Sequence, residues 1–211
     1  MSKSTHIILA IESAICGGSI SLLKDDREAA SWIGSSNVSK AEDLLANIDE
    51  ILTTNDISRH DIDLIAVSAG PGSFTGIRIG LATAMGLVAG LGIKMASESA
   101  LKAMTYAQPP FRRFITAVSM GRDSVCFQEL ENQETNVAAH TNLKTCPEAE
   151  FLRFVQSEKN INFLLHESLY QLVEPSDMIT NFGANVARAV GLLCSRSPGV
   201  VSEPLFISKS I

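Results

Sequence analysis

Clustered basic charge is what this 211-residue chain most lacks. Lys and Arg total 17 against 23 Asp and Glu, the formal charge is -6, and the densest basic cluster is Arg112-Arg113. Gripping a nucleic-acid backbone takes grouped cations that displace counterions from phosphates, so any role on nucleic acid has to run through a partner. Paired cysteine spacing is missing as well. Cys16, Cys126, Cys146 and Cys194 lie far apart with no CxxC, which reads as free thiols of a reducing compartment rather than a disulfide frame. No apolar run reaches the roughly 20 residues of a bilayer span. The uncharged stretch 79–93 contains no Asp, Glu, Lys or Arg but is glycine-rich, and reads as a buried helix. Near the start, Glu12 breaks the apolar run, and the alternation suits a strand better than a signal peptide. The expected compartment is the cytoplasm, with no membrane contact.

Familiar catalytic spacings are absent too. His6, His60, His140 and His166 stand alone, without a second His or Cys at ligand distance in sequence. Ser13, Ser68 and Ser73 sit in no GxSxG elbow. With 45% hydrophobic and 19% charged residues and no low-complexity tract, the chain is expected to bury a substantial core, as one domain or two small lobes.

What is present is an alternation of strand and helix signals. Residues 7–11 and 19–23 are β-rich runs joined through Gly17-Gly18, a strand–turn–strand unit. Ser39 with Glu42 forms a capping box for a helix whose Ala41, Leu44, Leu45, Ile48, Ile51 and Leu52 recur at three- and four-residue spacing. Leu64 to Ser68 reads as a buried strand, Phe74 to Leu91 as a long helix and Ile93 to Ala96 as a further strand, a βαβ crossover. Ser97 is expected to cap a short helix stopped by Pro109-Pro110, the best lobe boundary. Beyond it, residues 114–130 repeat strand, turn and strand, an echo of the opening. A helix from Pro147 capped by Thr145 and Glu148, a strand at 161–165, a helix near 184–194 and an extended end at Pro204 to Phe206 complete the pass.

The most distinctive segment is GPGSFTGIRIG at 70–80. Each helical glycine costs about 1 kcal/mol relative to alanine, so Gly76, Gly80 and Gly86 need a compensation. Gly72, Gly76, Gly80 and Ala84 come four apart and form one nearly bare ridge, against which another backbone can approach closely. Two readings follow: packing within the chain, or a protein interface. Phosphate capture at the helix start is disfavoured, because the segment lacks the Gly-Lys-Ser/Thr ending of a P-loop and Arg78 is its one cation. Glu12, just after the first strand, is either a carboxylate for a metal–nucleotide complex or a turn carboxylate accepting backbone hydrogen bonds. The matching place in the second half holds Ser119-Met120-Gly121, so an acid pair is incomplete, with Asp123 beyond Arg122.

The segment 70–80, the strand before it and the opening IILAIES closely resemble the TsaB (YeaZ) family, with order and spacing agreeing over most of residues 6–107. The resemblance implies an α/β fold of the two-lobed actin/hexokinase-like (ribonuclease H-like) kind. Residues 1–107 would form the first lobe, and 108–211 a smaller, degenerate second one. It implies a non-catalytic scaffold that pairs with a TsaD-type paralogue, to support threonylcarbamoyl transfer to the tRNA adenosine beside the anticodon. ATP and a metal are expected on that partner and no cofactor on this chain alone, with a TsaE-type ATPase as a further member of the complex. Alone, the chain is expected to form a homodimer, and tRNA contact is indirect. The partner-binding residues would be Leu44, Leu45, Ile48, Gly72, Ser73, Phe74, Thr75, Gly76, Ile77, Arg78, Gly80 and Ala84. Glu12 and Ser13 are the candidates for nucleotide contact. The family's Asp-Thr-Ser stands here as Glu12-Ser13-Ala14, its His-Ser-Glu as Lys40-Ala41-Glu42, and its second-lobe Asp-Ala-Arg as Met120-Gly121-Arg122. The terminal Pro-x-Tyr-x-Arg keeps Pro204 and has Phe206. The competing readings are a small-molecule kinase or ATPase of the same fold, with Glu12 as metal carboxylate, and a glycoprotease-like metallopeptidase.

Overall fold

The computed structural model of the chain describes residues 5–35 and 43–196. The opening alternation folds as β1 (Ile7–Glu12) antiparallel to β2 (Ser19–Lys24), which in turn pairs with β3 (Arg27–Ile33). Then come α1 (Leu44–Thr54), β4 (Leu64–Ser68), α2 (Phe74–Leu91) and β5 (Lys94–Glu98). These strands form a first sheet of order β3-β2-β1-β4-β5, in which β4 is parallel to both β1 and β5. α3 (Ala100–Tyr106) leads into β6 (Arg113–Gly121), β7 (Ser124–Asn132), β8 (Val137–Ala139) and β9 (Lys144–Pro147). α4 (Glu148–Ser157), β10 (Phe163–His166), α5 (Glu167–Tyr170), β11 (Ile179–Gly183) and α6 (Val186–Arg196) follow. The second sheet runs β11-β10-β6-β7-β8, with β9 also on β7.

The two sheets repeat one topology. β6 and β7 stand where β1 and β2 stand, and β10 and β11 add in parallel as β4 and β5 do. The sequence echo between the opening and 114–130 is therefore a repeat of structure. Central strands are buried on both faces, so they read as unbroken apolar runs. Ile8 and Ala10 enter the core between the sheets, while Leu9 and Ile11 enter the one beneath α1 and α2.

Five layers result. α1 and α2 cover the outer face of the first sheet, α3 and α6 lie between the sheets, and α4 and α5 cover the second. The expected boundary at 107/108 falls between α3 and β6, yet the halves are not separate bodies. α3 packs on β6, β7 and β8, α6 packs on β1, β2, β4 and β5, and both sheets share one core.

Several local expectations need correction. Ser97 is a buried residue of β5; the cap of α3 is Ser99, whose hydroxyl accepts from the Lys102 N–H. Thr145 lies in β9, and α4 begins after Pro147 with no side-chain cap. The capping box at Ser39 and Glu42, the Lys40-Ala41-Glu42 comparison and the Pro204 to Phe206 segment lie outside the described residues.

Candidate functional site

α2 starts at Ser73, whose hydroxyl accepts from the Gly76 N–H, and stops at Gly92, left-handed at φ 69°, whose N–H reaches the Val88 carbonyl. Its seat is the turn after β1. There the buried Glu12 carboxylate accepts from the N–H groups of Ala14 (2.6 Å) and Ile15 (3.0 Å). Burial pushes this carboxyl up to about 7, and the two N–H donors only partly offset that. The Ser13 hydroxyl donates to the Gly76 carbonyl at 2.9 Å, and the Ser73 N–H donates to the Ala14 carbonyl at 2.7 Å. A Cβ at Gly76 would overlap the Ser13 carbonyl, and one at Gly80 would overlap the Ser13 hydroxyl.

This corrects the partner-binding set. The ridge of Gly72, Gly76, Gly80 and Ala84 does not await a foreign backbone; the chain's own turn and core cover it, and all four residues are buried. Ile77, Leu44 and Ile48 are buried as well, the last two in the core beneath α1. Ser73 is half-buried as the cap. Of the expected set, Leu45, Phe74, Thr75 and Arg78 remain exposed, with the Arg78 guanidinium 3.9 Å over the Phe74 ring. Glu12 and Ser13, the nucleotide candidates, are engaged in seating α2, and Glu12 holds its own turn. Among the described residues no three His, Cys, Asp or Glu side chains gather closely enough to hold a metal ion.

Seating one side of α2 leaves the other open. Of its eighteen residues only Gly76, Ile77, Gly80 and Ala84 are buried, so the expectation of a buried helix is also corrected. Ala82, Met85, Gly86, Ala89 and Gly90 are exposed, and Cβ atoms at Gly86 and Gly90 would meet nothing within 4 Å. Ala82, Gly86 and Gly90 form a second line at four-residue spacing, about 200° around the helix from the first at 100° per residue. With Phe74 and Met85 (60% exposed) they make the outward side of α2 an apolar face whose charge is Arg78, while Leu45 is exposed on α1. By length and composition α2 could cross a membrane; here one side of it rests on β4 and β1. The sequence carried the signal for the open line, because its spacing equals that of the ridge; what it did not carry was which line the Ser13-Ala14 turn would fill.

The other reactive groups serve the fold. His166 is buried at the end of β10; its Nδ1 lies 2.9 Å from the Ser168 hydroxyl and accepts the Ser168 N–H, and burial pulls it down to about 4. His140 meets Glu131 at 2.9 Å. The four cysteines are free thiols, Cys126 and Cys194 buried and Cys16 and Cys146 half-buried.

A family model described as TsaD, tRNA N6-adenosine threonylcarbamoyltransferase, matches residues 37–192. Over 135 residues the chain is 33% identical to the tRNA threonylcarbamoyladenosine biosynthesis protein TsaB of Escherichia coli (strain K12), an alignment covering 62% of this chain and 57% of that protein. The match thus spans little more than half the length of that relative. In fold, the chain resembles a crystal structure from Pseudomonas aeruginosa described as similar to peptidase YEAZ. The TM-score is 0.70 at 18% identity, over 96% of this chain and 100% of that one. It also resembles YeaZ from Pseudomonas aeruginosa, with a TM-score of 0.65 at 18% identity, over 90% and 91% of the two chains.

Proposed function

The chain belongs to the TsaB/YeaZ branch of the TsaD family, and from that membership we propose that it is a non-catalytic subunit that docks on a TsaD-type partner. In that complex it supports threonylcarbamoyl transfer to the tRNA adenosine beside the anticodon. One observation carries this reading: the outward side of α2 is long, apolar and bare along Ala82, Gly86 and Gly90, so a second helix can lie close against its backbone. Phe74 is 50% and Met85 60% exposed, so covering what remains would contribute about 1–1.5 kcal/mol each. A helix with a continuous apolar surface of this kind marks an association site.

The division of labour follows from what each residue is already doing. Glu12 and Ser13 hold the helix seat, which supports leaving ATP and the metal to the TsaD-type partner, with a TsaE-type ATPase joining the assembled pair. With 23 acidic against 17 basic residues the chain leaves tRNA contact to that partner. Without the partner, two copies pair through the same face as a homodimer, in the cytoplasm.

The test is a Gly86→Leu chain, which leaves the fold intact because that position is open, titrated against the TsaD-type partner by calorimetry. Affinity should fall about 100-fold, as loss of an interface centre does, and threonylcarbamoyladenosine in tRNA nucleosides should fall with it. A folded Gly86→Leu chain that binds and supports modification like the wild type would remove α2 as the docking face.

A further inference from the structure

α6 is the last described helix of the second half, yet among the described residues the side-chain hydrogen bonds and ion pairs that fasten its two ends go to the first. Asn185, just ahead of it, donates its amide to Glu28 (2.7 Å), and its carbonyl accepts from the Ser21 hydroxyl (3.0 Å) and from the Arg188 N–H (3.2 Å). The Ala187 N–H, one of the donors a helix start leaves unpaired, goes to the buried Ser19 hydroxyl of β2 at 3.0 Å. Arg188 adds an ion pair to Glu28 at 3.6 Å. At the far end Arg196 donates to the Tyr106 hydroxyl (3.1 Å) and lies 3.7 Å from Asp26. Midway, Gly191 brings the helix backbone down on the sheet: a Cβ there would stand 2.6 Å from Leu23 Cδ1 and 3.0 Å from Ala10 Cβ.

The receiving residues Ser19, Ser21, Asp26 and Glu28 all lie on β2, β3 and the turn joining them. α3 makes the reverse crossing. The Thr105 hydroxyl meets that of Thr116 on β6 at 2.7 Å, and buried Asn132 of β7 donates to the carbonyls of Tyr106, the last residue of α3, and Gln108 just beyond it. Two sheets joined by a single chain crossing could hinge. Two sheets joined by exchanged helices, one pinned at both ends, have no free hinge.

We propose that α6 is a staple, with the β2–β3 hairpin as its receptacle, that holds the two sheets at one fixed setting, so that the chain acts as a rigid frame rather than a closing clamp. The idea is independent of which partner covers α2. Its consequence is that the outward face of α2 is presented ready-made, with no lobe movement to assemble it.

Spin labels on the outer layers test this in the full chain. Thr53→Cys on α1 and Arg153→Cys on α4 place the labels, with the half-buried Cys16 and Cys146 changed to Ser. Pulsed electron–electron distance measurement should give one narrow distribution, unmoved by saturating Mg-ATP. Asn185→Ala with Arg188→Ala should broaden it about twofold and raise hydrogen exchange along α6 about tenfold or more, while β6 and β10 keep their protection. Should that pair fail to fold, Arg196→Ala, which frees only the far end, must broaden the distribution in the same sense. A broad or two-peaked distribution in the parent, a shift with Mg-ATP, or an unchanged width in the folded variants would each overturn the staple.

Discussion

The outer faces of the two sheets are covered from matching topological positions and finished in opposite ways. On the second sheet Phe151 and Phe154 of α4 close the layer with Phe127 of β7 and Phe163 of β10: Phe151 and Phe163 are fully buried, Phe127 and Phe154 pack against them, and adjacent rings meet at 5.2 to 6.4 Å. What α4 shows to solvent is polar, with Glu150, Arg153 and Gln156 exposed. Between its parallel strands β10 and β11 stands α5, one turn of four residues. In the first sheet the same place, between β4 and β5, holds the eighteen-residue α2 with its apolar outer side. The fold therefore does not require a long exposed apolar helix there, since its second copy does without one. That contrast supports the proposal that the length and surface of α2 serve docking.

Two phenylalanines put that difference to the largest test. Phe151→Ala should cost about 3–5 kcal/mol in urea unfolding, the range for emptying a buried aromatic site. Phe74→Ala removes a ring that is 50% exposed and should cost under about 1 kcal/mol, yet weaken docking about tenfold or more. If Phe74→Ala proved as destabilising as Phe151→Ala, the outer side of α2 would be part of the chain's own core, and the contrast between the halves would vanish.

Next in size is a pair of buried ionisable groups, one in each half, that pull stability in opposite directions with pH. Glu12 titrates at about 7 in the folded chain against an ordinary 4.5. Across that interval the folded state holds a proton that the unfolded state has released, so its contribution is full below about pH 4.5 and is lost as pH rises to about 7. The loss is about 3 kcal/mol. His166 is lowered to about 4 from 6.5. The unfolded state then takes the proton first, and a contribution of about 3 kcal/mol, full above pH 6.5, is lost as pH falls to about 4. Between pH 4.5 and 6.5 the slopes offset, and the wild-type profile should be flat. Glu12→Gln should leave a rise in stability with pH across that window, and His166→Asn, which keeps an acceptor for the Ser168 N–H, should leave a fall. Profiles parallel to the wild type in both variants would show that neither group is titrating as its burial dictates.

Legibility in the sequence followed the same physics. The ends of α2 were readable because Gly-Pro-Gly-Ser before it and Gly92 after it each have a local job, a turn, a cap and a left-handed stop. β1, β2, β4 and β6 were readable as apolar runs, being buried on one or both faces, and β7 as the second strand of the echo at 114–130. β3, at the edge of the first sheet and largely exposed, shows no such run, and β8, β9 and β11 are too short or too mixed to show one. The open apolar side of α2 was half legible. Helical phase follows from spacing, so both bare lines of α2 could be seen, but the choice between them depends on Ser13 and Ala14, some sixty residues away in sequence, and no local pattern reports that. Leu45 shows the same limit on α1: it recurs in the apolar pattern with Leu44 and Ile48, and only the packing shows that it faces outward.

The smallest predicted effect separates the two lines by its sign. Alanine in place of glycine gains up to about 1 kcal/mol wherever a helix has room for the methyl. Gly86 has room, so Gly86→Ala should raise the thermal midpoint slightly. Gly76 has the helical φ and ψ that suit alanine equally well, but its methyl would be driven into the Ser13 carbonyl, an atom fixed by the Glu12-capped turn that cannot swing aside. Gly76→Ala should therefore lower stability by about 1–3 kcal/mol, the usual cost of overpacking. The same substitution ten residues apart on one helix then reads out which side is finished by the chain itself. Equal gains at both positions would mean that the turn yields and that α2 is not seated by it. Equal losses would mean that the line through Gly86 is already covered from within.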